Sequence, residues 1–304
     1  MSYPEFREEI FGILKGMVPA NVRIELIDVE KLNSSMRHGI SFQKEGECYA
    51  PTIYLEPFYN GYRNGKDIEA LAREVLRCYA EETCELPESV FKLEHFESAR
   101  ENIYCKLIHI AENQRLLQET PHITYLDFAI VPYFEVNNDR VYRGSVLLKK
   151  EHVKSWEISG EELLNWAVRH TFEAKGVLFK PMSEILSAFI SEGDGEIYDH
   201  AHSGMFVLTN HDKYLGAILI YYPEVLRMIA EKLGEDFYML PASVHEWVIV
   251  PESFVVEESS MLSTVQHIND LEVLEEEVLS YNIYRYFTSS QKIHVFKSVK
   301  YKNY

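Results

Sequence analysis

The sequence predicts an α+β protein of mixed, largely antiparallel sheets with packed helices. Three observations lead there. Strand-like and helix-like stretches alternate irregularly along the 304 residues. Several strand-like stretches follow one another across short turns, as in hairpins. No glycine-rich strand-to-helix turn of the kind found in doubly wound sheets occurs.

The elements read in order as follows. Pro4 to about Lys15 reads as a helix with Phe6, Ile10, Ile13 and Leu14 on one side. Val22–Val29 alternates apolar and polar residues as a half-buried strand does. Short strands are expected at Ile40–Gln43 and at Ile53–Leu55, the latter stopped by Pro57. The clearest helix spans Asp67 to Glu81. Ile68, Leu71, Ala72, Val75, Leu76 and Tyr79 form one stripe there, Asp67 is a candidate N-cap, and Gly65 marks the turn. Helical texture from Ser89 to Asn102 precedes a strand at Ile103–Ile110 and a helical turn reaching Leu117.

Pro121 supplies a boundary, dividing an N-terminal α+β region (1–120) from a C-terminal α+β domain (121–304), with one compact unit as the alternative. The second part opens with strands Tyr125–Val136 and Val141–Leu148 around an Asn-Asn-Asp turn. Ser159 to Glu162 has the form of a capping box, and the helix after it carries Leu163, Leu164, Ala167, Val168 and Phe172. Met205–Leu208 reads as a strand, and Tyr214–Tyr222 as a continuous apolar element covered on both sides. Pro223 opens a helix that Gly234 ends. Strands Phe237–Leu240 and Val244–Val250 are joined at Pro241–Ser243, and helices follow at Ser259–Ile268 and Glu272–Leu279.

Hydrophobic residues make up 46% and aromatic residues 13%, enough for a sizeable core. The formal net charge of −18 repels phosphate backbones and anionic lipid, so neither nucleic acid nor membrane is an expected partner. A tail from Ser289 holds Lys292, Lys297, Lys300 and Lys302 without an acid, and reads as a solvated terminal element pairing with the acidic body, with a small nucleic-acid or lipid contact as the alternative. The N-terminus lacks the basic and apolar regions of a signal peptide. The four cysteines, Cys48, Cys78, Cys84 and Cys105, include no C-x-x-C pair and read as reduced thiols of a cytoplasmic protein.

The sequence contains no GxxxxGK[ST], GxGxxG, HExxH or GxSxG motif, which argues against the common NTPases, dehydrogenases, zincins and α/β-hydrolases. Three constellations hold the remaining chemistry. Asp194, Glu196, Asp199, His200 and His202 lie within nine residues, with His211 and Asp212 just beyond, and are candidate metal ligands. A solvated acidic loop is the plainer account of them. In the run LPASVHEWVIVP, Ser243, His245 and Glu246 are candidate ligand-binding residues at a strand entry. Adjacent strand side chains point to opposite faces, so His245 and Glu246 are not expected to pair, and a packed histidine is the plainer reading. Glu56, among aromatics and prolines in APTIYLEPFY, is a candidate carboxylate for acid–base work, or a strand-end glutamate holding a backbone or tyrosine donor. No second catalytic group is evident beside it. Trp156 and Trp166 read as packing. Trp166, near a polar flank of its helix, is also placed to anchor a partner or the other half of the chain.

The runs APTIYLEPFY (Ala50–Tyr59), ETPHITYLDFAIVPYF (Glu119–Phe134), FVLTN (Phe206–Asn210), GAILIYYPEVL (Gly216–Leu226) and FYMLPASVHEWVIVPES (Phe237–Ser253) carry a resemblance across almost the whole chain. The sequence is similar in these to an uncharacterised domain family met mainly in gut-dwelling anaerobic Gram-positive bacteria. Asn210, in the third run, is also a ligand-binding candidate. The second half bears a fainter likeness to another uncharacterised Gram-positive family. Neither resemblance implies an activity, cofactor or catalytic residue. Ala242 and Trp247 stand where the resemblance suggests a small polar and an aliphatic residue.

The expectation is therefore a non-enzymatic cytoplasmic binding or interaction protein without a cofactor, whose partner is another protein or a small ligand. The alternative is a hydrolase-like enzyme using histidine and carboxylate groups, with or without a metal.

Overall fold

The structure, a computed structural model, describes residues 1–46, 50–82, 92–138, 142–185, 204–255 and 258–297. It divides into two compact units, Met1–Glu88 and Ser89–Tyr304. Pro121, the expected boundary, lies inside the second unit. Strand β4 (Ile103–His109) pairs across it with β6 (Phe128–Asn138), from Ile103 opposite Phe134 to His109 opposite Phe128. A proline ends a local element, whereas a boundary needs few pairings to cross it.

The first unit is an antiparallel sheet of β1 (Val22–Glu30), β2 (Met36–Lys44) and β3 (Thr52–Tyr54), in that order. It is accompanied by helices α1 (Tyr3–Lys15), α2 (Glu56–Arg63) and α3 (Ile68–Glu82). Phe6, Ile10 and Leu14 from α1, Ile24 from β1, Ile40 and Phe42 from β2, and Leu71 and Val75 from α3 bury their side chains in one core. The stripe on α3 packs as its spacing predicts, and Asp67 accepts the backbone N–H of Ala70 at 3.0 Å as its N-cap. Pro57 does not terminate an element. It sits in the first turn of α2, where proline is tolerated, and Glu56 therefore opens a helix.

The second unit contains, in order, α4 (Phe96–Ala99), β4, α5 (Gln114–Glu119), β5 (Ile123–Tyr125), β6, β7 (Tyr142–Leu147), α6 (Lys150–Ser155), α7 (Gly160–Lys175), β8 (Leu178–Pro181) and β9 (Phe206–Thr209). There follow α8 (Pro223–Leu233), β10 (Phe237–Ser243), β11 (Glu246–Pro251), α9 (Glu258–Leu271), β12 (Ile283–Phe287) and β13 (Lys292–Lys297). One sheet joins β4, β5 and β7 to β6, and the other runs β13-β12-β10-β11-β9-β8. Every pairing among the described strands is antiparallel. Tyr238, Leu240, Val248 and Val250 pack with Met261 and Val265 of α9. Their alternates Phe237, Met239, Trp247 and Ile249 join the main core with Phe128 and Phe134. Both faces of β10 and β11 are thus apolar, which explains their unbroken hydrophobic runs.

Helix α7 lies along the open edge of β4. The Thr171 hydroxyl accepts the Cys105 N–H at 2.8 Å, and Nδ1 of His170 lies 3.0 Å from the Ile103 carbonyl. Ser159 caps α7 by accepting the Glu162 N–H at 3.0 Å.

Several elements differ from expectation. The strand expected at Tyr125–Val136 is split by a turn at Leu126-Asp127, where Leu126 has φ +56°. The run Gly216–Tyr221 is a buried 3-10 helix, because Trp247 Nε1 and Tyr125 Oη donate to the carbonyls of Ala217 and Ile220 and satisfy its backbone. The chain turns between β10 and β11 at Val244-His245, three residues later than expected, since Ser243 pairs with Glu246. Glu275–Glu277 forms a 3-10 turn in place of the second C-terminal helix.

Candidate functional site

Four of the five ligand-binding candidates, Asn210, Ser243, His245 and Glu246, meet around the β10–β11 turn in the second unit. His245 lies on the turn and not in a strand, so the alternation that separated it from Glu246 does not apply to it. Its ring nitrogens are nonetheless engaged elsewhere. The Leu215 N–H donates to Nδ1 at 2.9 Å, which places the ring proton on Nε2, and Nε2 lies 3.3 Å from Oε1 of Glu277. The Tyr214 ring stacks on the imidazole at 5.3 Å. Ser243 Oγ accepts the His245 N–H at 3.0 Å, and Thr209 Oγ1 donates to the His245 carbonyl at 2.8 Å. Asn210, buried, clasps Tyr214 through both its backbone groups, at 2.8 and 3.2 Å. Burial pushes the Glu246 carboxyl above its ordinary pKa, against the pull of His245 and Lys213. These residues brace one another around a loop in which Lys213 and Leu215 both have positive φ.

Gly216 explains the tightness of this corner. A Cβ there would stand 2.5 Å from Thr209 Oγ1, 2.7 Å from the Asn210 nitrogen and 2.8 Å from the His245 carbonyl oxygen. The same loop carries Asp212 into a buried ion cluster. Lys175, the last residue of α7, donates to Asp212 Oδ2 at 2.8 Å and to Glu135 Oε2 at 2.9 Å, and sits 4.1 Å from the centre of the Tyr104 ring. Burial lowers the Lys175 pKa, but the two carboxylates outweigh it and hold the ammonium above its ordinary value.

Glu56 belongs to a different constellation, in the first unit. Its Oε1 accepts the His38 N–H at 2.7 Å, the backbone bond anticipated for it. Contrary to expectation, other titratable groups stand beside it. Asp28 and His38 are directly opposite in the β1–β2 register, and Nδ1 of His38 lies 2.7 Å from Asp28 Oδ1. Arg7 of α1 donates to the same oxygen at 2.6 Å. The His38 and Arg7 bonds together hold the Asp28 carboxyl below the usual range, despite its slight desolvation. Tyr3 of α1 packs on His38 and Tyr59, and burial, with Glu56 nearby, pushes its phenol far up. Nε2 of His38 makes no hydrogen bond among the described residues, and its side chain is 25% exposed. An Asp-oriented imidazole with an open Nε2 has the geometry of a general base.

A third feature lies between α4 and α7: an open groove of about 470 Å³ lined by Phe96, Arg100, Glu161, Glu162, Trp166 and Arg169 among others. The Trp166 indole is fixed by its Nε1 donating to the Arg100 carbonyl at 3.0 Å, and the Arg100 and Arg169 guanidinium carbons stand 4.9 and 5.3 Å from its ring centre. Behind it the rings continue inward. His170 lies 5.6 Å from Trp166 and stacks at 4.9 Å on Tyr104, the ring that Lys175 covers.

The metal candidates Asp194, Glu196, Asp199, His200 and His202 lie outside the described residues. Among the described residues no three His, Cys, Asp or Glu side chains are grouped to hold a metal, and no helix is long and apolar enough to cross a membrane.

These features define an α+β protein of two units, with an acid–base pair in the first and an aromatic groove beside a buried ion cluster in the second. The chain belongs to DUF5688, described as a family of unknown function, whose profile matches residues 3–288. No curated protein and no solved structure matches it.

Proposed function

We propose that this chain is a non-enzymatic cytoplasmic binding protein that takes its partner in the Trp166 groove. The observation that carries the reading is the indole held open to the groove with two guanidiniums against it, a pairing of rigid aromatic surface and charge typical of binding hot spots. The engagement of both His245 ring nitrogens by the scaffold supports it, since the most suggestive imidazole is already spoken for. The acidic net charge favours a protein or small ligand over nucleic acid, and the buried, unbridged Cys105 suits a reducing compartment. Native mass spectrometry of protein taken gently from its own host tests this. A stoichiometric companion is expected, and Arg169→Glu or Trp166→Ala is expected to lose it. A companion retained by both variants would place the function elsewhere.

The His38–Asp28 pair supports a second reading, a hydrolase-like activity in the first unit in which His38 activates water and Asp28 orients it. Turnover of activated esters or phosphodiesters would then disappear in His38→Gln and fall in Asp28→Asn. Equal background rates in wild type and both variants would remove it.

A further inference from the structure

Resting on the groove as the binding site, we infer that its ligand is a short extended peptide of about three residues with free ends. Glu162, Trp166 and Arg169 occur at i, i+4 and i+7 of α7, so they form one stripe along the groove. The ends of the stripe are separated by seven residues, about 10 Å at the rise of an α-helix. An extended chain advances about 3.3–3.6 Å per residue, so three residues span that distance.

The chemistry changes sign along the stripe. At one end Glu161 and Glu162 present carboxylates suited to an α-ammonium. In the middle Trp166 and Phe96 present apolar surface suited to a side chain. At the far end Arg169 presents a guanidinium suited to an α-carboxylate, which it can take through two parallel bonds. Arg169 makes no ion pair among the described residues, in a chain with 48 acidic side chains, and is positioned by the Trp166 face. Arg100 is different: it is held by Glu97 at 2.9 Å and serves as a wall. A ligand bearing only negative charge would meet Glu161 and Glu162, and one bearing only positive charge would meet Arg169. A molecule with opposite charges at its two ends matches both, and the groove volume of about 470 Å³ accommodates a tripeptide.

The test uses the fluorescence of the full chain. Of the three tryptophans Trp156 and Trp247 are buried, so an emission change on ligand addition reports Trp166. The tripeptide Ala-Leu-Ala with free ends is expected to shift the emission saturably. C-terminal amidation or Arg169→Gln is expected to weaken binding about tenfold or more, the loss of a charge-assisted pair. N-acetylation or Glu162→Gln is expected to weaken it at the other end. Both substituted positions are exposed, so the variants are expected to melt like wild type. Equal binding of the doubly capped peptide overturns the inference while leaving the groove a binding site. Absence of any response to the free tripeptide also overturns it, and the Arg169→Glu mass-spectrometry result then decides separately whether the groove binds something else.

Discussion

Nε2 of His245 lies 3.3 Å from Oε1 of Glu277 and makes no ion pair with its sequence neighbour Glu246. The two carboxylates therefore act oppositely on stability. Glu246 is pushed up by burial, so its neutral form is the one the fold prefers. The unfolded chain ionises it near pH 4.3, and above that pH the folded state loses ground as pH rises. Glu246→Gln is expected to raise the denaturant midpoint at pH 7 and to leave it unchanged near pH 3. Glu277→Gln is expected to lower it at pH 7.

Lys175→Met should be among the most damaging single substitutions in the second unit. Glu135 is fully buried and would lose the ammonium 2.9 Å away. Breaking a buried pair in this way costs about 3–5 kcal/mol. Lys175→Met combined with Glu135→Leu should recover much of that loss, because the fully buried carboxylate is then gone and only the partly exposed Asp212 loses the ammonium. Urea titration of the three proteins measures the order. Because the Lys175 pKa is raised, its stabilisation is complete below the unfolded value of about 10.4 and declines as pH climbs through the folded one.

Asp127 governs the acid side. Burial pushes its carboxyl up, but hydrogen bonds from His109, Tyr284 and Asn282 outweigh this and hold it below the usual range. Its contribution is present above the unfolded pKa of about 3.9 and lost as pH falls through the lower folded value. The Tyr284 hydroxyl donates to it at 2.6 Å, so Tyr284→Phe is expected to move acid unfolding, followed by circular dichroism, to higher pH. Asp127→Asn and wild type are expected to converge only below the lowered folded pKa, where the Asp127 carboxyl is protonated in both states.

Gly216→Ala places a methyl group against backbone on two sides. Overpacking of this kind costs about 1–3 kcal/mol, and the His245 turn should lose order with it. A shifted or broadened His245 imidazole resonance is the expected signature.

Helices with a continuous apolar stripe and a cap were legible in the sequence. Asp67 and Ser159 fix the starts of α3 and α7, and Gly234, at φ +77°, ends α8. Gly216–Tyr221 was not legible as 3-10, because an apolar run bounded by no periodicity fits a strand and a helix equally. What makes it helical is the pair of donors, Trp247 and Tyr125, that reach it from other elements. Pro241 resembles a turn residue, which places the β10–β11 turn too early, yet it sits within β10. The same limit applies to the site. Ser243, His245 and Glu246 stand together in the sequence at a strand entry, but Glu277 reaches His245 only through tertiary folding. His38 and Asp28 meet through strand register, and Arg7 joins them from α1. No local pattern marks such a meeting. Trp166 gave a signal, an aromatic at the polar edge of its helix.

The contact of α7 with β4 has a further consequence. The strand edge that α7 shields is an adhesive one, since unpaired backbone groups there would otherwise recruit strands from other molecules. The inner face of α7 provides that shield while its outer face presents Trp166. A molecule lodged against the indole should therefore slow deuterium uptake at the Cys105 amide, which Thr171 holds, and raise the concentration at which the protein begins to self-associate. Occupancy and colloidal behaviour would thus be read from one helix.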